Sequence, residues 1–337
     1  MLLQESEVAT RERLHLSEYV NERTRHVRLA PPNRPIFIAI ETSAFSGATL
    51  LSFLLNAHPQ IASIGEMDGL LRKNPNEYVC SCGTPIRRCE FWQAMRHEMA
   101  QHGCEFDVAN FAMKFLFDGP RWMQRLRSDS FHSQFLDAIR EMAIRSLPGE
   151  SQRFQQRVAR NRAFVESVLK LTGKKIFVDT SKDRLRARAL KMFSTYDVRV
   201  IHLVRDPRGV IASRLRRHSD IPVSQAAREW VDLHIKLQDY AHLLNPAKFM
   251  GLRYEDLCRD PRALLQKLYR FCGALPSFEP SEFKSTAHHI VGNPMRLKSV
   301  SVIKLDESWR EQLPIEQQKE IWQIAGNLSV QYGYSPE

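Results

Sequence analysis

The stretch IFIAIETSAFSGATLLSFLL, residues Ile36–Leu55, is the strongest indicator of fold in this chain. It predicts a buried β-strand, a short Ser-Gly loop and then an apolar α-helix. Such a junction directs backbone N–H groups and the positive end of a helix dipole to one point, which suits a phosphate group. The loop lacks the G-K-[ST] ending of nucleoside triphosphatases, and residues 36–55 contain no Lys or Arg. Positive side chains for a phosphate site must therefore come from elsewhere in the chain.

Composition narrows the functional classes. The 337 residues are 43% hydrophobic, which fits one large α/β domain. A net charge of +11 favours an anionic partner such as a nucleotide, a nucleic acid or a membrane surface. No apolar run has the length of a membrane span, so we expect no stable membrane insertion. The N-terminal residues lack the apolar core of a secretory signal, which favours a cytoplasmic location. We interpret residues 1–34 as an N-terminal arm.

Apolar strand patterns alternate with amphipathic helix patterns through the rest of the chain. This order predicts an α/β fold of three layers, with a central parallel sheet covered by helices on both faces. Residues from about 104 to 165 have no clear strand pattern, so we predict a helical insertion within a domain of residues 35–335. The predicted strands are Ile36–Ile40, Ile61–Ile64, Lys175–Val178, Val198–Val204 and Phe249–Leu252.

Ligands of such sheets bind at the carboxyl ends of the strands. The loops SAFSGAT, DTSKD and RDPRG, which follow the first, third and fourth predicted strands, should therefore meet at one site. In the first loop, Ser46 and Thr49 offer hydroxyls, and Gly47 allows a phosphate to approach the backbone closely. An ordinary strand-to-helix turn is the alternative interpretation.

The other two loops carry cations. Lys182 follows the third strand, where a point charge can stabilise a leaving phosphate oxygen; the alternative is an exposed surface lysine. Arg205 leaves the fourth strand, and Ser213 follows on the next helix. Together they can bind a second phosphate by charge-assisted hydrogen bonds, and Asp206 is expected to cap the helix. A structural Arg–Asp pair is the alternative interpretation of Arg205. Arg296 and Lys298 lie in a later loop that we interpret as a basic flap or as an exposed connection.

A cysteine cluster in CSCGTPIRRCEFW raises the question of a metal. Cys80, Cys82 and Cys89 could supply three zinc thiolates, but a fourth ligand at a fitting spacing is absent, unless Cys104 or His97 completes the set. Reduced structural thiols and a local disulfide are the favoured alternatives. We therefore expect no metal.

Several motifs occur together in an order that resembles the PAPS-dependent sulfotransferases, in the branch that includes protein-tyrosine sulfotransferases and many bacterial enzymes. These motifs are FSGATLLSFLLNAHPQIASIGE, the turn SKD, LVRDPRGVIAS, RYEDL, GNPMR and the C-terminal DESWREQL and QYGY. They extend over about residues 35–334. An ordered set of this kind is more specific than any single member.

The resemblance implies a site for PAPS, 3′-phosphoadenosine 5′-phosphosulfate. The first loop, Ser46–Leu50, would hold the 5′-phosphosulfate, while Arg205 and Ser213 would bind the 3′-phosphate. Tyr254 would lie near the adenine, and Arg296 and Lys298 would close over the cofactor. The catalytic residues would be Lys182, which stabilises the bridging oxygen, and Glu66, which acts as general base. In full, the implied cofactor-binding residues are Ser46, Gly47, Ala48, Thr49, Leu50, Arg205, Ser213, Tyr254, Arg296 and Lys298.

Two positions depart from the family pattern. Phe45 replaces the usual Lys or Arg before Ser-Gly, and Ala48 replaces a Ser or Thr. A binding protein for PAPS or 3′,5′-ADP with weakened catalysis is therefore an alternative to an active sulfotransferase, and a small-molecule kinase is a weaker one. We do not expect nucleic-acid binding, because the basic residues lie at strand ends rather than along one helix. The acceptor, a glycan, lipid, peptide or small alcohol, is not specified by the sequence.

Overall fold

The computed structural model describes residues 34–68, 76–115, 117–128, 133–217, 220–276, 283, 288–297 and 302–337. Five β-strands occur in these ranges: β1 Ile36–Glu41, β2 Ile61–Ser63, β3 Ile176–Asp179, β4 Asp197–Val204 and β5 Phe249–Arg253. The α-helices are α1 Ala48–Asn56, α2 Glu90–Gln101, α3 Arg121–Ser128, α4 Gln134–Ser146, α5 Pro148–Thr172, α6 Arg184–Phe193, α7 Pro207–Leu215, α8 Val223–His242, α9 Tyr254–Arg259, α10 Pro261–Cys272, α11 Trp309–Gln312 and α12 Ile315–Gln331.

The strands form one parallel sheet in the order β2-β3-β1-β4-β5. The central strand β1 pairs on one side with β3, where Ile36 lies opposite Ile176, and on the other with β4. Every residue of β1 is buried, as expected for a parallel strand with helices over both faces. The predicted α/β fold with a central parallel sheet is confirmed.

Alternate residues of each strand point to opposite faces and enter two separate cores. Phe37 and Phe177 pack with Trp92 and Phe164, from helices α2 and α5, on one face of the sheet. On the other face, Ile38 packs with residues of helices α1 and α10. The two cores lie between the sheet and the helical layers on its two faces. They fix the positions of the strand ends that carry the three loops predicted to form the site.

The segment predicted to be a helical insertion contains helices α3, α4 and the first part of α5. Phe154 and Phe164 of α5 are fully buried in the core, so this helix is part of the domain's packing. The assignment of residues 104–165 as an insertion stays a prediction. The expected arm lies, except for Arg34, outside the described residues. Across the described ranges, no helix combines the length and the apolar character that crossing a bilayer requires.

Candidate functional site

The first loop joins β1 to α1 through a left-handed turn. Gly47 precedes the helix with φ 93° and ψ 9°, a conformation that favours glycine. A Cβ atom at Gly47 would lie 2.5 Å from Cδ2 of Tyr254, so the tyrosine ring packs directly against the backbone of the loop. Within the described residues, α1 has neither a side-chain cap nor an acidic residue in its first turn. Its N-terminal N–H groups can therefore serve an anion.

A hydrogen bond between two serine side chains orders the same loop. Ser46 is buried, and its Oγ lies 2.6 Å from Oγ of Ser43. Ala48 and Leu50 are also buried, and Thr49 is partly exposed, so the loop presents mainly its backbone. The structure thus brings the predicted residues Ser46–Leu50 together at the carboxyl end of β1.

Lys182 occupies a constrained turn after β3. Its backbone has φ 63°, and its Nζ donates to Oε1 of Glu66 (2.9 Å) and to the carbonyl of Thr180 (3.2 Å). Asp179 stabilises this turn, because its carboxylate accepts hydrogen bonds from the N–H (2.9 Å) and the hydroxyl of Ser181. Arg186 is fully buried and bonds the same carboxylate (2.6 Å). This buried pair fixes the position of Lys182.

Glu66 is placed by contacts from three segments. It follows Gly65, whose carbonyl accepts the Thr180 N–H (3.0 Å) and which forms a parallel bridge with Val291. The pairing leaves no room for a side chain, since a Cβ at Gly65 would lie 2.3 Å from the Val291 carbonyl oxygen. A Cβ at Gly292 would lie 3.2 Å from Cδ of Glu66. The late segment 288–297 therefore packs against the predicted catalytic carboxylate.

Arg205 joins the first loop to the start of helix α9 and to Asp306. Its Nη1 donates to the Phe45 carbonyl (3.0 Å), and its guanidinium lies 4.6 Å from the centre of the Tyr254 ring. Its Nη2 bonds the carbonyl (2.9 Å) and Oδ2 (3.0 Å) of Asp306. Arg205 thus forms a structural pair with the aspartate at 306. Asp206 caps helix α7 as expected: its carboxylate accepts the Arg208 N–H (2.8 Å) and forms an ion pair with the Arg208 guanidinium (2.7 Å).

A second arginine, which the sequence analysis did not select, approaches Ser213. Arg216 lies one helical turn after Ser213 and donates to its Oγ (2.9 Å), and it is 3.7 Å from Oδ2 of Asp306. Partial burial alone would raise the pKa of the Asp306 carboxyl, but hydrogen bonds from Ser308 and Arg205 outweigh it and hold that pKa at about 2. Two arginines, a serine hydroxyl and a carboxylate thus converge at the end of β4.

Phe45 also has a cation beside it. The guanidinium of Arg217 lies 5.6 Å from the centre of the Phe45 ring, and the Phe45 carbonyl is the acceptor for Arg205. The family pattern expects a cationic side chain at this position of the loop. In this protein, Arg205 and Arg217 supply positive charge there from a neighbouring segment.

Arg296 has a different environment from the one expected. Its guanidinium is buried, donates to the carbonyls of Val79 (2.9 Å) and Gly292 (2.8 Å), and lies 4.1 Å from the centre of the Tyr78 ring. It joins the cysteine-rich loop to the late segment, and its contact with a cofactor stays a prediction. Lys298 lies outside the described residues.

The sequence of the domain that carries these loops matches one known family. The sequence profile of the sulfotransferase family matches residues 44–276, which is more than half of the chain. The chain belongs to the sulfotransferase family.

Curated relatives agree with this membership over shorter stretches. Human carbohydrate sulfotransferase 6 is 26% identical over 170 residues, a match that covers 42% of each chain. Omega-hydroxy-beta-dihydromenaquinone-9 sulfotransferase Stf3 of Mycobacterium bovis is 36% identical over 92 residues, which are 23% of this chain and 24% of that relative. The matches thus span less than half the length of these curated relatives.

A solved structure supports the fold over nearly the whole chain. The sulfotransferase domain from the Synechococcus PCC 7002 olefin synthase superposes with a TM-score of 0.51 at 20% identity. The superposition covers 89% of this chain and 98% of that domain. The α/β architecture of the sulfotransferase family is therefore preserved despite the low sequence identity.

The cysteine cluster differs from the sequence prediction. Neither Cys104 nor His97 joins it; the fourth residue is His289, from the late segment. Of the three clustered cysteines, Cys89 is nearest to His289 in sequence, and 200 residues separate the two. Motifs of metal ligands are recognised by short spacings along the chain, so they cannot pair residues this far apart. The signal that the sequence offered was the pair of adjacent histidines at 288 and 289.

Proposed function

We propose that this protein transfers a sulfuryl group from PAPS to a hydroxyl or amine of an acceptor molecule. The observation that carries the proposal is the contact between Lys182 and Glu66, at the strand ends beside the first loop, in a chain of the sulfotransferase family. A cation near the leaving group and a carboxylate that can take the acceptor proton would both assist sulfuryl transfer. The cytoplasmic location expected from the sequence belongs to the same proposal.

The residues around the first loop fit a nucleotide with two phosphate positions. The N–H groups of residues 46–50 would hold the 5′-phosphosulfate, and Arg205, Ser213 and Arg216 would bind the 3′-phosphate. A Cβ at Gly209 would lie 3.0 Å from Nε of Arg205, so the backbone of helix α7 packs closely against this guanidinium. Tyr254, packed between Gly47 and Arg205, offers an aromatic surface near the adenine. Arg296 and Lys298 remain candidates for the cover of this site.

The Asp306 carboxylate occupies the arginines that would bind the 3′-phosphate. Its carboxylate bonds Arg205 and lies near Arg216, and its low pKa means that it stays negatively charged at neutral pH. A 3′-phosphate would carry more charge than this carboxylate and would replace it as the partner of the two arginines. Binding of the nucleotide is therefore coupled to a shift of the segment that carries Asp306.

The chemistry at the reacting atoms follows from the two catalytic residues. PAPS supplies the sulfuryl group, which forms a bond to the acceptor oxygen or nitrogen as its bond to the 5′-phosphate oxygen breaks. The Glu66 carboxylate takes the acceptor proton. The Lys182 ammonium stabilises the negative charge that develops on the 5′-phosphate oxygen, as cations do in phosphoryl transfer.

The acceptor is the least specified part of the proposal. The names of the relatives point to carbohydrates and to a hydroxylated menaquinone, so both classes belong in a test panel. We propose that the segment 104–165 shapes the acceptor site, because α3 packs against α6, the helix that begins two residues after Lys182. Exposed apolar side chains on this segment, including Trp122, Phe135 and Met142, support an acceptor with an apolar part.

Two measurements test the proposal. Calorimetry should show tighter binding of 3′,5′-ADP than of ADP, and labelled sulfate should pass from PAPS to at least one member of an acceptor panel. Binding without transfer to any glycan, lipid, peptide or alcohol would support the binding-only alternative that Phe45 and Ala48 raise. Equal affinity for the two nucleotides would contradict the role given to Arg205 and Ser213.

A further inference from the structure

Three thiols and one imidazole meet beside the sulfotransferase site. Sγ of Cys80, Cys82 and Cys89 and a ring nitrogen of His289 all lie within 4.8 Å of one another. Cys82 Sγ is 3.7 Å from Cys89 Sγ, and Nδ1 of His289 is 3.7 Å from Cys80 Sγ and 3.4 Å from Cys89 Sγ. The four atoms come from two segments that are about 200 residues apart.

The three contacts of 3.4–3.7 Å in this cluster match those of a tetrahedral zinc site. With Zn–S bonds of about 2.3 Å and Zn–N bonds of about 2.0–2.1 Å, tetrahedral geometry places two sulfurs about 3.8 Å apart and a sulfur and a nitrogen about 3.6 Å apart. The observed separations of 3.4–3.7 Å agree with both values. We propose that Cys80, Cys82, Cys89 and His289 bind a structural zinc ion, in contrast to the expectation that no metal is present.

The local backbone is arranged to direct the first two thiols to one side. The Gly83 N–H donates to the Cys80 carbonyl (2.9 Å), and the Cys80 N–H donates to the Thr84 carbonyl (2.9 Å), which forms a tight turn around Cys82. Gly83 has φ 87°, which a residue with a side chain rarely adopts. Cys89 stands at the N-terminus of α2, where the helix dipole favours a thiolate.

His289 is held in its orientation by two neighbours. The Ser81 hydroxyl donates to the His288 carbonyl (2.8 Å) and accepts the Ile290 N–H (2.8 Å), so it fixes the backbone on both sides of His289. The ring of Phe91 stacks on the imidazole at a centroid distance of 4.3 Å with an interplanar angle of 1°. Orienting contacts of this kind around the ligands are typical of built metal sites.

A disulfide explains the cluster less well. The sulfurs of Cys82 and Cys89 are 3.7 Å apart, whereas a disulfide bond is about 2.05 Å long. A disulfide would also use two thiols and leave the third thiol and the imidazole without a role. Four protein ligands complete the coordination of zinc and leave no position for a substrate, so the proposed ion is structural and not catalytic.

The ion would join two segments that both reach the catalytic carboxylate. From His289 the chain continues through Val291, which pairs with Gly65, and Gly292, which packs on Glu66. From Cys80 it leads back to Tyr78, whose hydroxyl accepts the Gly292 N–H (2.8 Å). The zinc site therefore stabilises the wall of the site next to Glu66, and this inference does not depend on sulfuryl transfer.

The test measures metal content and thermal stability of the full chain. Protein purified without chelators should contain about one zinc ion per chain by elemental analysis. Replacement by cobalt should produce the thiolate-to-cobalt charge-transfer and tetrahedral d–d absorption bands. Cys82→Ser, which changes the exposed member of the set, and His289→Ala should each lose most of the zinc. Cys104→Ser and His97→Ala are matched controls that should keep it.

Chelation provides a measurement that does not require a variant to fold. Removing the metal from the unmodified protein should lower its melting temperature, and zinc, but not magnesium, should restore it. A metal-free protein whose stability zinc leaves unchanged would overturn the proposal. So would a Cys82–Cys89 disulfide detected by mass spectrometry, or zinc retained in full by both Cys82→Ser and His289→Ala.

Discussion

Nζ of Lys182 lies 2.9 Å from Oε1 of Glu66, although 116 residues separate the two in sequence. The pair brings the third strand end to the segment after the second, which are neighbours in the sheet order β2-β3-β1. If Glu66 is the proposed general base and Lys182 the proposed leaving-group cation, their contact marks the point where the acceptor and the donor meet. Replacing either residue tests one of these two roles.

Lys182→Ala should slow sulfate transfer strongly while leaving nucleotide binding nearly unchanged. The ammonium acts on charge that develops in the transition state, and loss of one such group costs about 100- to 1,000-fold in kcat. The measurement is the rate of labelled sulfate transfer at saturating PAPS, together with the Kd of 3′,5′-ADP. Lys175→Ala is a suitable control, because this exposed lysine lies just before the opposite end of β3. Full activity of Lys182→Ala would refute the assignment.

Glu66→Gln should lower kcat by about 100- to 10,000-fold, the range for removal of a general base. The amide is close in shape to the carboxylate and can still contact Lys182, so the fold and the affinity for 3′,5′-ADP should stay the same. Single-turnover kinetics with a saturating acceptor give the relevant rate. If the variant loses only affinity for the acceptor, at unchanged kcat, Glu66 positions the substrate and is not the base.

Selectivity for the 3′-phosphate should depend on the cluster at the end of β4. Arg205→Ala should reduce the preference for 3′,5′-ADP over ADP by about 10- to 100-fold, since hydrogen bonds to a charged group contribute about 1.5–3 kcal/mol. Arg216→Ala and Ser213→Ala should act in the same direction. Calorimetry of each variant with both nucleotides gives the ratio.

A neighbouring residue on the same helix provides the control for this series. Arg214 follows Ser213 directly but forms an ion pair with Glu229 (2.6 Å), so Arg214→Ala should keep the selectivity of the unmodified protein. Equal losses of affinity for ADP and 3′,5′-ADP in the Arg205 variant would show that this residue binds some other part of the nucleotide.

Buried apolar runs made the strands predictable from the sequence. The five observed strands begin and end within one residue of the predicted positions. The prediction was accurate because strands of a parallel sheet covered on both faces are short, continuous apolar runs between helices. The rule that ligands bind at the carboxyl strand ends then selected Lys182 and Arg205. The apolar helix predicted after the Ser-Gly loop begins at Ala48, since Gly47 adopts a left-handed conformation that the helix cannot include.

Contacts between distant segments were not predictable in the same way. The ion pair of Glu66 with Lys182, the approach of His289 to the cysteines and the burial of Arg296 against Val79 all depend on how loops return to the sheet. Arg216 could have been predicted from the sequence, because its spacing of three residues from Ser213 places both residues on one helical face. Predicting which side chains pair across loops requires the three-dimensional structure, whereas strand ends can be predicted from the pattern of apolar residues alone.

The turn that carries Lys182 should depend on a buried ion cluster. Arg186 has no exposed surface and bonds Asp179 (2.6 Å), Asp68 and Asn161 (2.9 Å). Arg186→Leu leaves the buried carboxylate of Asp179 and the partly exposed one of Asp68 without their cation, and we expect a loss of about 3–5 kcal/mol in the free energy of unfolding. Urea denaturation measures this loss. Lys191→Ala, an exposed change on the same helix, should stay within about 0.5 kcal/mol of the unmodified protein.

Glu41 should make stability fall as the pH rises. This residue is buried at the end of β1, and burial raises the pKa of its carboxyl from 4.5 to about 8, against the attraction of Arg184. Between these two values the folded protein holds a proton that the unfolded chain has released. The group therefore lowers the free energy of unfolding by up to about 1.4 kcal/mol for each unit of rising pH.

The comparison with Glu41→Gln isolates this contribution, since glutamine does not titrate. Burial lowers the pKa of His202 to about 3, and the pKa of His58 and of His234 is also lowered, which makes stability rise with pH below about 6.5. These histidines are present in both proteins, so their effect cancels in the difference. Urea denaturation at several pH values between about 5 and about 8 should show the unmodified protein losing stability relative to Glu41→Gln as the pH rises. Parallel stability curves would mean that Glu41 is already ionised in the folded protein, with its charge compensated by Arg184.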